Sequence, residues 1–386
     1  MANLLLALIY VSFISLGLPD GVLGAAWPTM YPQLGVPLSY AGIISAIISL
    51  GTIGSSLMSD RLSRWLGTAR LTALSVAMTA AALFGFSVSG SFIALCLWAI
   101  PYGLGAGSVD AGLNNYVALH YKSQHMSWLH CFWGVGASTG PYIMGYALTA
   151  GQTWNQGYRY ISLIQIVLTF VLIISLPIWK KRTVHTGEDG VEDKALSLRE
   201  ILAIKGAKEV MLFFFCYCAL EQVMGLWAGS YLHLYRGLST ELTASLAGMY
   251  FLGLTVGRGI SGFVSMKLDD TTMIRLGLGI IGVGIAVMLL PMGTACSIAG
   301  FILIGLGSAP VYPCVIHSTP DHFGADKSQA IIGVQMASAY TGTCVMPPAF
   351  GVVARNISVA LLPWCALLLL IAMLVMHEKL VKKTAH

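Results

Sequence analysis

Three carboxylates stand in stretches that are otherwise apolar: Asp20, Asp110 and Glu221. Hydrocarbon cannot solvate a charge, so an acid inside a membrane segment is costly and usually belongs to a functional path. Burial also favours the neutral form of a carboxyl group, so the same acid can be protonated in one state and ionised in another. The three acids therefore predict proton coupling and hydrogen bonding to a polar solute.

Asp20 lies in the most irregular of these stretches, residues 17–28, where two prolines and three glycines interrupt an apolar run that begins at Leu4. Proline and glycine loosen a helix and release backbone groups. Such backbone is tolerated at membrane depth only where it is packed in protein or lines a wet cavity. The pattern predicts that Asp20 faces a central cavity; the alternative is an acid held permanently by neighbouring helices.

The elements that position these acids are predicted to be membrane spans. Of the 386 residues, 56% are hydrophobic and only 10% are charged, whereas a soluble domain carries roughly 25% charged residues. Because a membrane-spanning helix needs about 20 apolar residues, the chain is predicted to be an all-α integral membrane protein with twelve transmembrane helices. The predicted spans are 4–31, 38–58, 68–88, 92–119, 127–149, 158–179, 209–234, 241–266, 271–291, 295–317, 327–352 and 357–377.

The 21 lysines and arginines predict how these spans are oriented. All but Arg159, Arg236, Arg258 and Arg355 fall in segments that are cytoplasmic if the N-terminus is cytoplasmic. The positive-inside rule then places both termini in the cytoplasm. We expect a protein of the plasma membrane, a bacterial inner membrane, with an uncleaved first helix, because the first run lacks a basic leader. The scattered basic residues also argue against nucleic-acid binding.

A polar linker at 181–208 is predicted to separate two six-helix bundles, 1–180 and 209–386. The bundles are expected to be parallel repeats, because four pairs of short segments match at an offset of 200–202 residues. Two such halves rock around a midplane site in transporters. The matches are Asp20–Gly24 with Glu221–Gly225, Leu38-Ser39 with Leu238-Ser239, Gly103–Gly105 with Gly305–Gly307, and Thr139-Gly140 with Thr341-Gly342.

The segment after the second span, Gly54 to Arg64, resembles the loop signature of the major facilitator superfamily, Gly-x-x-x-Asp-Arg-x-x-Arg, with one additional residue before the acid. The resemblance implies that Asp60, Arg61 and Arg64 form a cytoplasmic gate between the two halves. The alternative is a solvated basic loop that only obeys the positive-inside rule.

The fourth span places Asp110 and Asn114 on one helical face, because they are four residues apart. Together with Asp20 they resemble the fucose–proton symporter family, which carries Asn-Asp in the first span and Glu-x-x-x-Asn-Pro in the fourth. Here Pro19 precedes Asp20, Asp110 replaces the glutamate, and Asn115 replaces the proline.

The fifth span continues this likeness, because residues 129–137 are similar to the family's Gln-Thr-Phe-Asn-Ser-Phe-Gly-Ala segment. His130 takes the place of the glutamine and Trp133 that of the asparagine. The resemblance implies proton-driven sugar uptake, with the first-span acid near the sugar and the fourth-span acid in proton transfer. Since the polar sugar-binding positions differ, it does not identify fucose as the substrate.

Candidate solute contacts come from both halves. Trp133 offers an aromatic platform for a sugar ring and His130 offers hydrogen bonds, although packing roles account for either residue equally well. In the second half, Glu221 is predicted as a sugar ligand or further protonation site, and an amide in an apolar helix usually faces the bundle interior. The predicted substrate-binding set is Asp20, Asn114, His130, Trp133, Glu221, Gln222 and Gln335.

The sequence thus predicts a proton-coupled symporter of a monosaccharide or similar small polar solute, acting as a monomer in the lipid bilayer without a cofactor. A proton-coupled exporter of amphipathic compounds and a sodium-coupled sugar carrier remain alternatives. A membrane enzyme or sensor is disfavoured, since no nucleophile–base or metal-ligand set stands out in the spans. The eight scattered cysteines suggest neither a disulfide framework nor a metal site.

Overall fold

The computed structural model describes residues 2–37, 40–179, 196–238, 249–291 and 293–384, and within these ranges every regular element is a helix. The helices of the first half follow the predicted apolar runs. They are α1 (Ala2–Gly17), α2 (Val22–Leu34), α3 (Ala41–Leu57), α4 (Ser59–Leu66), α5 (Thr68–Val88), α6 (Phe92–His120), α7 (Ser123–Thr149) and α8 (Trp154–Trp179).

The second half repeats this arrangement after a short helix that precedes its first span. A π-helical turn, Tyr231–Tyr235, extends α10, and a 3₁₀ turn, Val359–Leu361, precedes the last helix. The helices are α9 (Leu198–Ala203), α10 (Ala207–Ser230), α11 (Met249–Val264), α12 (Asp270–Leu289), α13 (Thr294–His317), α14 (Thr319–Phe323), α15 (Ala325–Asn356) and α16 (Leu362–Thr384).

The twelve predicted spans are consistent with this architecture, so the predicted fold class is confirmed. Among the described residues, eight spans are long and apolar enough to cross a membrane, and the pair α3 and α4, bent by 61°, makes a ninth. The remaining three spans are α7, α11 and α15. Most of the linker (180–195), the first part of the span at 241–266, and Leu38, Ser39 and Ser239 of the repeat lie outside the described residues.

The chain divides into two compact units. The first comprises Met1–Tyr116 and Leu129–Ser197, and the second comprises Val117–Trp128 and Leu198–His386. The connection between α6 and α7 therefore groups with the second unit, although most of both helices belongs to the first.

Close helix contacts recur in both units with the same residue spacing. A Cβ atom on Gly103 of α6 would meet the carbonyl oxygen of Ile48 on α3, and one on Gly305 of α13 would meet that of Tyr250 on α11. Both members of the second pair lie 202 residues after those of the first. Small residues let membrane helices approach until their backbones touch. The repeat predicted from short matches is therefore present in the packing of the second and fourth spans of each unit.

The first span of each unit follows a different register. Gly140 of α7 lies against the carbonyl oxygen of Leu18, whereas Gly342 of α15 lies against that of Phe215. The glycines are 202 residues apart, but the two carbonyl groups are only 197 apart. Carried along the chain, the second offset makes Tyr217, and not Glu221, the position that corresponds to Asp20. The sequence match had assumed one constant offset, while the break in the first span shifts it.

We expect Gly103→Ala and Gly305→Ala to destabilise the protein, because each added methyl group would meet a backbone carbonyl. Overpacking costs about 1–3 kcal/mol, which outweighs the ~0.5–1 kcal/mol that alanine normally gains over glycine in a helix. The measurement is thermal unfolding in detergent. Gly279→Ala is the control, because its added Cβ would meet no atom within 4 Å. Equal melting temperatures for all three variants would contradict the contact.

Candidate functional site

The first span is broken where the sequence predicts it. Helix α1 ends at Gly17 and α2 begins at Val22, and between them the N–H of Asp20 donates to the carbonyl of Gly17 at 2.9 Å. Gly21 has a φ of 75°, a left-handed conformation that glycine adopts without strain. Asp20 therefore sits in the turn between two helices and not on a continuous helical surface.

Asp20 is held by Trp133 of α7. The indole Nε1 donates to Asp20 Oδ2 at 3.1 Å, and both side chains are only partly buried. This is the one hydrogen bond of the Asp20 side chain among the described residues. Glycines bring α7 close to the break, since Gly136 lies against the carbonyl of Ile14 and Gly17 lies against that of Trp133. The structure thus joins the predicted acid of the first span to the predicted aromatic of the fifth.

A second polar chain connects α6 to α7 in the same unit. Asn114 Nδ2 donates to Asp110 Oδ1 at 2.8 Å, and Asn114 Oδ1 lies 3.1 Å from His130 Nε2. When Asp110 is ionised, the amide must turn its NH₂ toward the carboxylate. His130 must then carry a proton on Nε2 to satisfy the amide oxygen. All three side chains are buried, so the structure shows Asn114 and His130 bonded to protein groups, although they were predicted as solute contacts.

In the second unit, Glu221 of α10 pairs with Arg258 of α11. Arg258 Nη2 lies 3.5 Å from Glu221 Oε2, and the two residues are only 4% and 8% exposed. Two phenols pack beside the pair, and one of them, Tyr217, donates to the carbonyl oxygen of Ser308 at 2.9 Å. A buried charge needs an opposite charge, so Glu221 is the compensated acid of the three. Sequence reasoning noticed Arg258 as the cation within a span but did not connect it with Glu221.

The two predicted glutamines have different surroundings. Gln222 of α10 is partly exposed. Gln335 of α15 is fully buried, and its Nε2 donates to Thr319 Oγ1 at 3.0 Å. In this structure Gln335 fastens the short helix α14 to α15 and does not face a solute. A glutamine in an apolar helix indicates an interior position, but the pattern does not tell a ligand from a packing bond.

The predicted gate residues lie on the short helix α4. Arg64 Nε donates to Asp60 Oδ1 at 3.0 Å, one turn away on the same helix. Asp60 is buried, and its second oxygen has no hydrogen-bond partner among the described residues. Arg61 is exposed. The observed ion pair is therefore local to α4, and the gate stays a prediction.

Sequence reasoning missed a polar cluster at the ends of α12 and α13 in the second unit. His317 Nδ1 lies 2.6 Å from Asp270 Oδ2, and His317 Nε2 lies 2.9 Å from the carbonyl oxygen of Tyr121. Ser123 donates to the other oxygen of Asp270. Because both ring nitrogens of His317 face acceptors, a doubly protonated imidazolium satisfies both bonds. The cluster fastens the connection between α6 and α7 to the second unit.

Next to this cluster, Asp269 caps the start of α12. Its carboxylate accepts a hydrogen bond from the N–H of Thr272 at 3.1 Å and one from the Thr272 hydroxyl at 2.6 Å. These hydrogen bonds from Thr272 lower the pKa of Asp269 below its ordinary value. An aspartate at this position satisfies N–H groups that the helix leaves unpaired, and it fixes where α12 begins.

The chain is similar to known membrane proteins along most of its length. A family model described as Major Facilitator Superfamily matches residues 9–347. The protein described as Bypass of stop codon protein 6, from Saccharomyces cerevisiae, is 23% identical over 286 residues. That match spans 67% of this chain and 56% of the yeast protein, so the chain covers just over half of that relative's length.

Two further comparisons cover nearly the whole chain. The uncharacterized transporter y4wD of Sinorhizobium fredii is 26% identical over 352 residues, 87% of this chain and 88% of that protein. A crystal structure of the E. coli fucose:proton symporter FucP aligns with a TM-score of 0.75 at 14% identity, covering 97% of this chain and 98% of that chain. At this identity the alignment shows a shared fold.

We expect Glu221→Gln or Arg258→Gln alone to destabilise the protein strongly, because each leaves a buried charge without its opposite. Breaking a buried ion pair costs about 3–5 kcal/mol, while replacing both partners is far milder. The double variant should therefore unfold at a higher temperature than either single variant. The control is Glu378→Gln, which removes the exposed Arg275–Glu378 pair and should cost less than about 1 kcal/mol. Additive losses in the double variant would refute the pairing.

Proposed function

Because the chain belongs to the major facilitator superfamily, we propose that this membrane transporter is a proton-coupled symporter of a monosaccharide or a similar small polar solute. The superfamily and the uncharacterized transporter relative support transport as the general activity. The sugar and the proton come from the resemblance of the first, fourth and fifth spans to fucose–proton symporters, and from the fold shared with FucP.

The observation that carries the proposal is the setting of Asp20. Its carboxyl group lies in a break within an apolar span, is partly exposed, and accepts a hydrogen bond from a neutral indole. A carboxylate without a paired cation is the group whose protonation changes most readily when its surroundings become wetter or drier. Glu221 differs, because the Arg258 guanidinium stabilises its charged form. We therefore assign proton coupling to Asp20, with Asp110 as a second candidate.

Trp133 supports the solute half of the proposal. Its indole N–H is used by Asp20, while its ring remains partly exposed. An aromatic face packs against the apolar face of a sugar ring, and an acidic oxygen beside it accepts hydrogen bonds from hydroxyl groups. A solute bound to this pair would contact the protonation site directly, which provides a physical route for coupling.

The decisive experiment is uptake of labelled monosaccharides into proteoliposomes, with pH and sodium gradients imposed separately. We expect accumulation with the pH gradient alone. Asp20→Asn should abolish accumulation but retain exchange of solute across the membrane, because exchange needs no net proton movement. Asp326→Asn, at an exposed acid, is the control.

Each other outcome would favour a different function. Accumulation that requires sodium would support the sodium-coupled alternative. Outward movement of lipophilic cations without sugar transport would support the exporter. Gradient-driven accumulation that survives Asp20→Asn would show that the coupling group lies elsewhere.

Two substitutions separate the roles of Trp133. Trp133→Phe keeps an aromatic face and loses the N–H that binds Asp20, so we expect weaker accumulation with little change in apparent solute affinity. Trp133→Leu loses both features and should weaken both quantities. The measurement is the apparent KM of exchange together with the accumulation ratio, and Trp65→Phe, at an exposed residue, is the control. An unchanged accumulation ratio in Trp133→Phe would contradict the role of the hydrogen bond.

A further inference from the structure

Gln165 is a buried amide within α8, a helix apolar enough to span a membrane. It is 1% exposed. Its Nε2 donates to the carbonyl oxygen of Ser15 at 2.6 Å, and its Oε1 accepts from Ser15 Oγ at 2.9 Å and from Thr79 Oγ1 at 3.3 Å. One side chain of α8 thus satisfies groups on both α1 and α5.

The carbonyl of Ser15 is available for a specific reason. In an α-helix each carbonyl accepts from the N–H four residues later, and Leu18 still donates to Ile14 in this way, at 2.9 Å. The next carbonyl in line is that of Ser15, whose partner would be the N–H of residue 19. Pro19 has no N–H. The amide of Gln165 occupies the place of the donor that proline lacks.

This substitution matters because of the surroundings. Away from water, an unsatisfied backbone carbonyl is costly and favours any conformation that removes it. With the Ser15 carbonyl satisfied from α8, the chain can break after Gly17 and turn through Asp20, whose N–H bonds to Gly17. We propose that Gln165 is a positioning residue, which stabilises the broken first span and thereby holds Asp20 against Trp133. The effect on transport rests on the proposed function, whereas the effect on structure does not.

A general packing role for Gln165 makes a different prediction. If its hydrogen bonds only fasten α8 to its neighbours, their loss costs the same whatever residue stands at 19. If Gln165 compensates for proline, the cost depends on Pro19. In the Pro19→Ala background the Ser15 carbonyl regains a backbone donor, so Gln165 has less to supply.

The test is a double-mutant cycle of Gln165→Met and Pro19→Ala, measured by thermal unfolding in detergent. We expect Gln165→Met alone to lower the Tm by several degrees, and to lower it clearly less in the Pro19→Ala background. Thr169→Val is the control on the same helix, because that hydroxyl bonds to the carbonyl of Gln165 within α8. An equal fall in both backgrounds would overturn the proposal.

Two further variants decide the matter if Pro19→Ala does not fold. Ser15→Ala and Thr79→Val each remove a hydroxyl partner of Gln165 but leave the bond to the Ser15 carbonyl. The proposal expects both to lower the Tm less than Gln165→Met does. An equal or larger fall in either variant would show that the carbonyl bond is not the one that matters.

Transport provides the functional readout. In proteoliposomes, Gln165→Met should reduce gradient-driven accumulation more than exchange, because it displaces Asp20 rather than removing it. The Pro19→Ala, Gln165→Met double variant should regain stability without regaining accumulation, since its first span is straighter. Wild-type accumulation in Gln165→Met would refute positioning. A wild-type protein that moves no solute would refute the proposed function, while the unfolding experiment would still decide the role of Gln165.

Discussion

Inside a bilayer, a backbone carbonyl or a charged side chain has only the protein itself to satisfy it, and the described helices meet this constraint at a few buried points. The most consequential is the break at Gly17–Val22. Proline removes a donor there, and an amide from α8 replaces it. Glycines of α7 let the neighbouring backbone approach the open turn. The acid at the centre of the turn is thereby presented at a defined place, which a continuous helix would not provide.

The three acids show three solutions to the same constraint. Asp20 accepts from an indole, Asp110 accepts from an amide that is itself bonded to a histidine, and Glu221 faces a guanidinium. The order matters for chemistry, because a neutral donor stabilises a carboxylate less than a full positive charge does. A proton carrier needs both protonation states to be accessible. The acid with the weakest electrostatic compensation therefore suits that task better than the acid paired with arginine.

Much of this site follows from the sequence alone. The break around Asp20 is marked by proline and glycine, and the contact of Asp110 with Asn114 follows from their spacing on one helix. The partner of Glu221 does not follow, because Arg258 lies on a different helix and no local pattern records which helices pack together. The role of Gln335 is equally hidden, since a buried amide has the same sequence signature as ligand or as structural bond. The register of the repeat fails at the first span because a broken helix and a continuous one place equal numbers of residues differently.

This last difference separates the chemistry of the two units. The 202-residue spacing that relates α3 to α11 places Arg258 at the position of Ser56, whose hydroxyl donates to the carbonyl oxygen of Gly107 at 3.2 Å. The second unit thus has a cation where the first has a neutral hydroxyl. An acid on α10 gains a counter-ion from this position, and an acid in the first unit gains none from its equivalent. The two halves share their backbone packing but divide the electrostatic work, so a change of protonation is expected to act on the first unit, while the charge pair of the second persists.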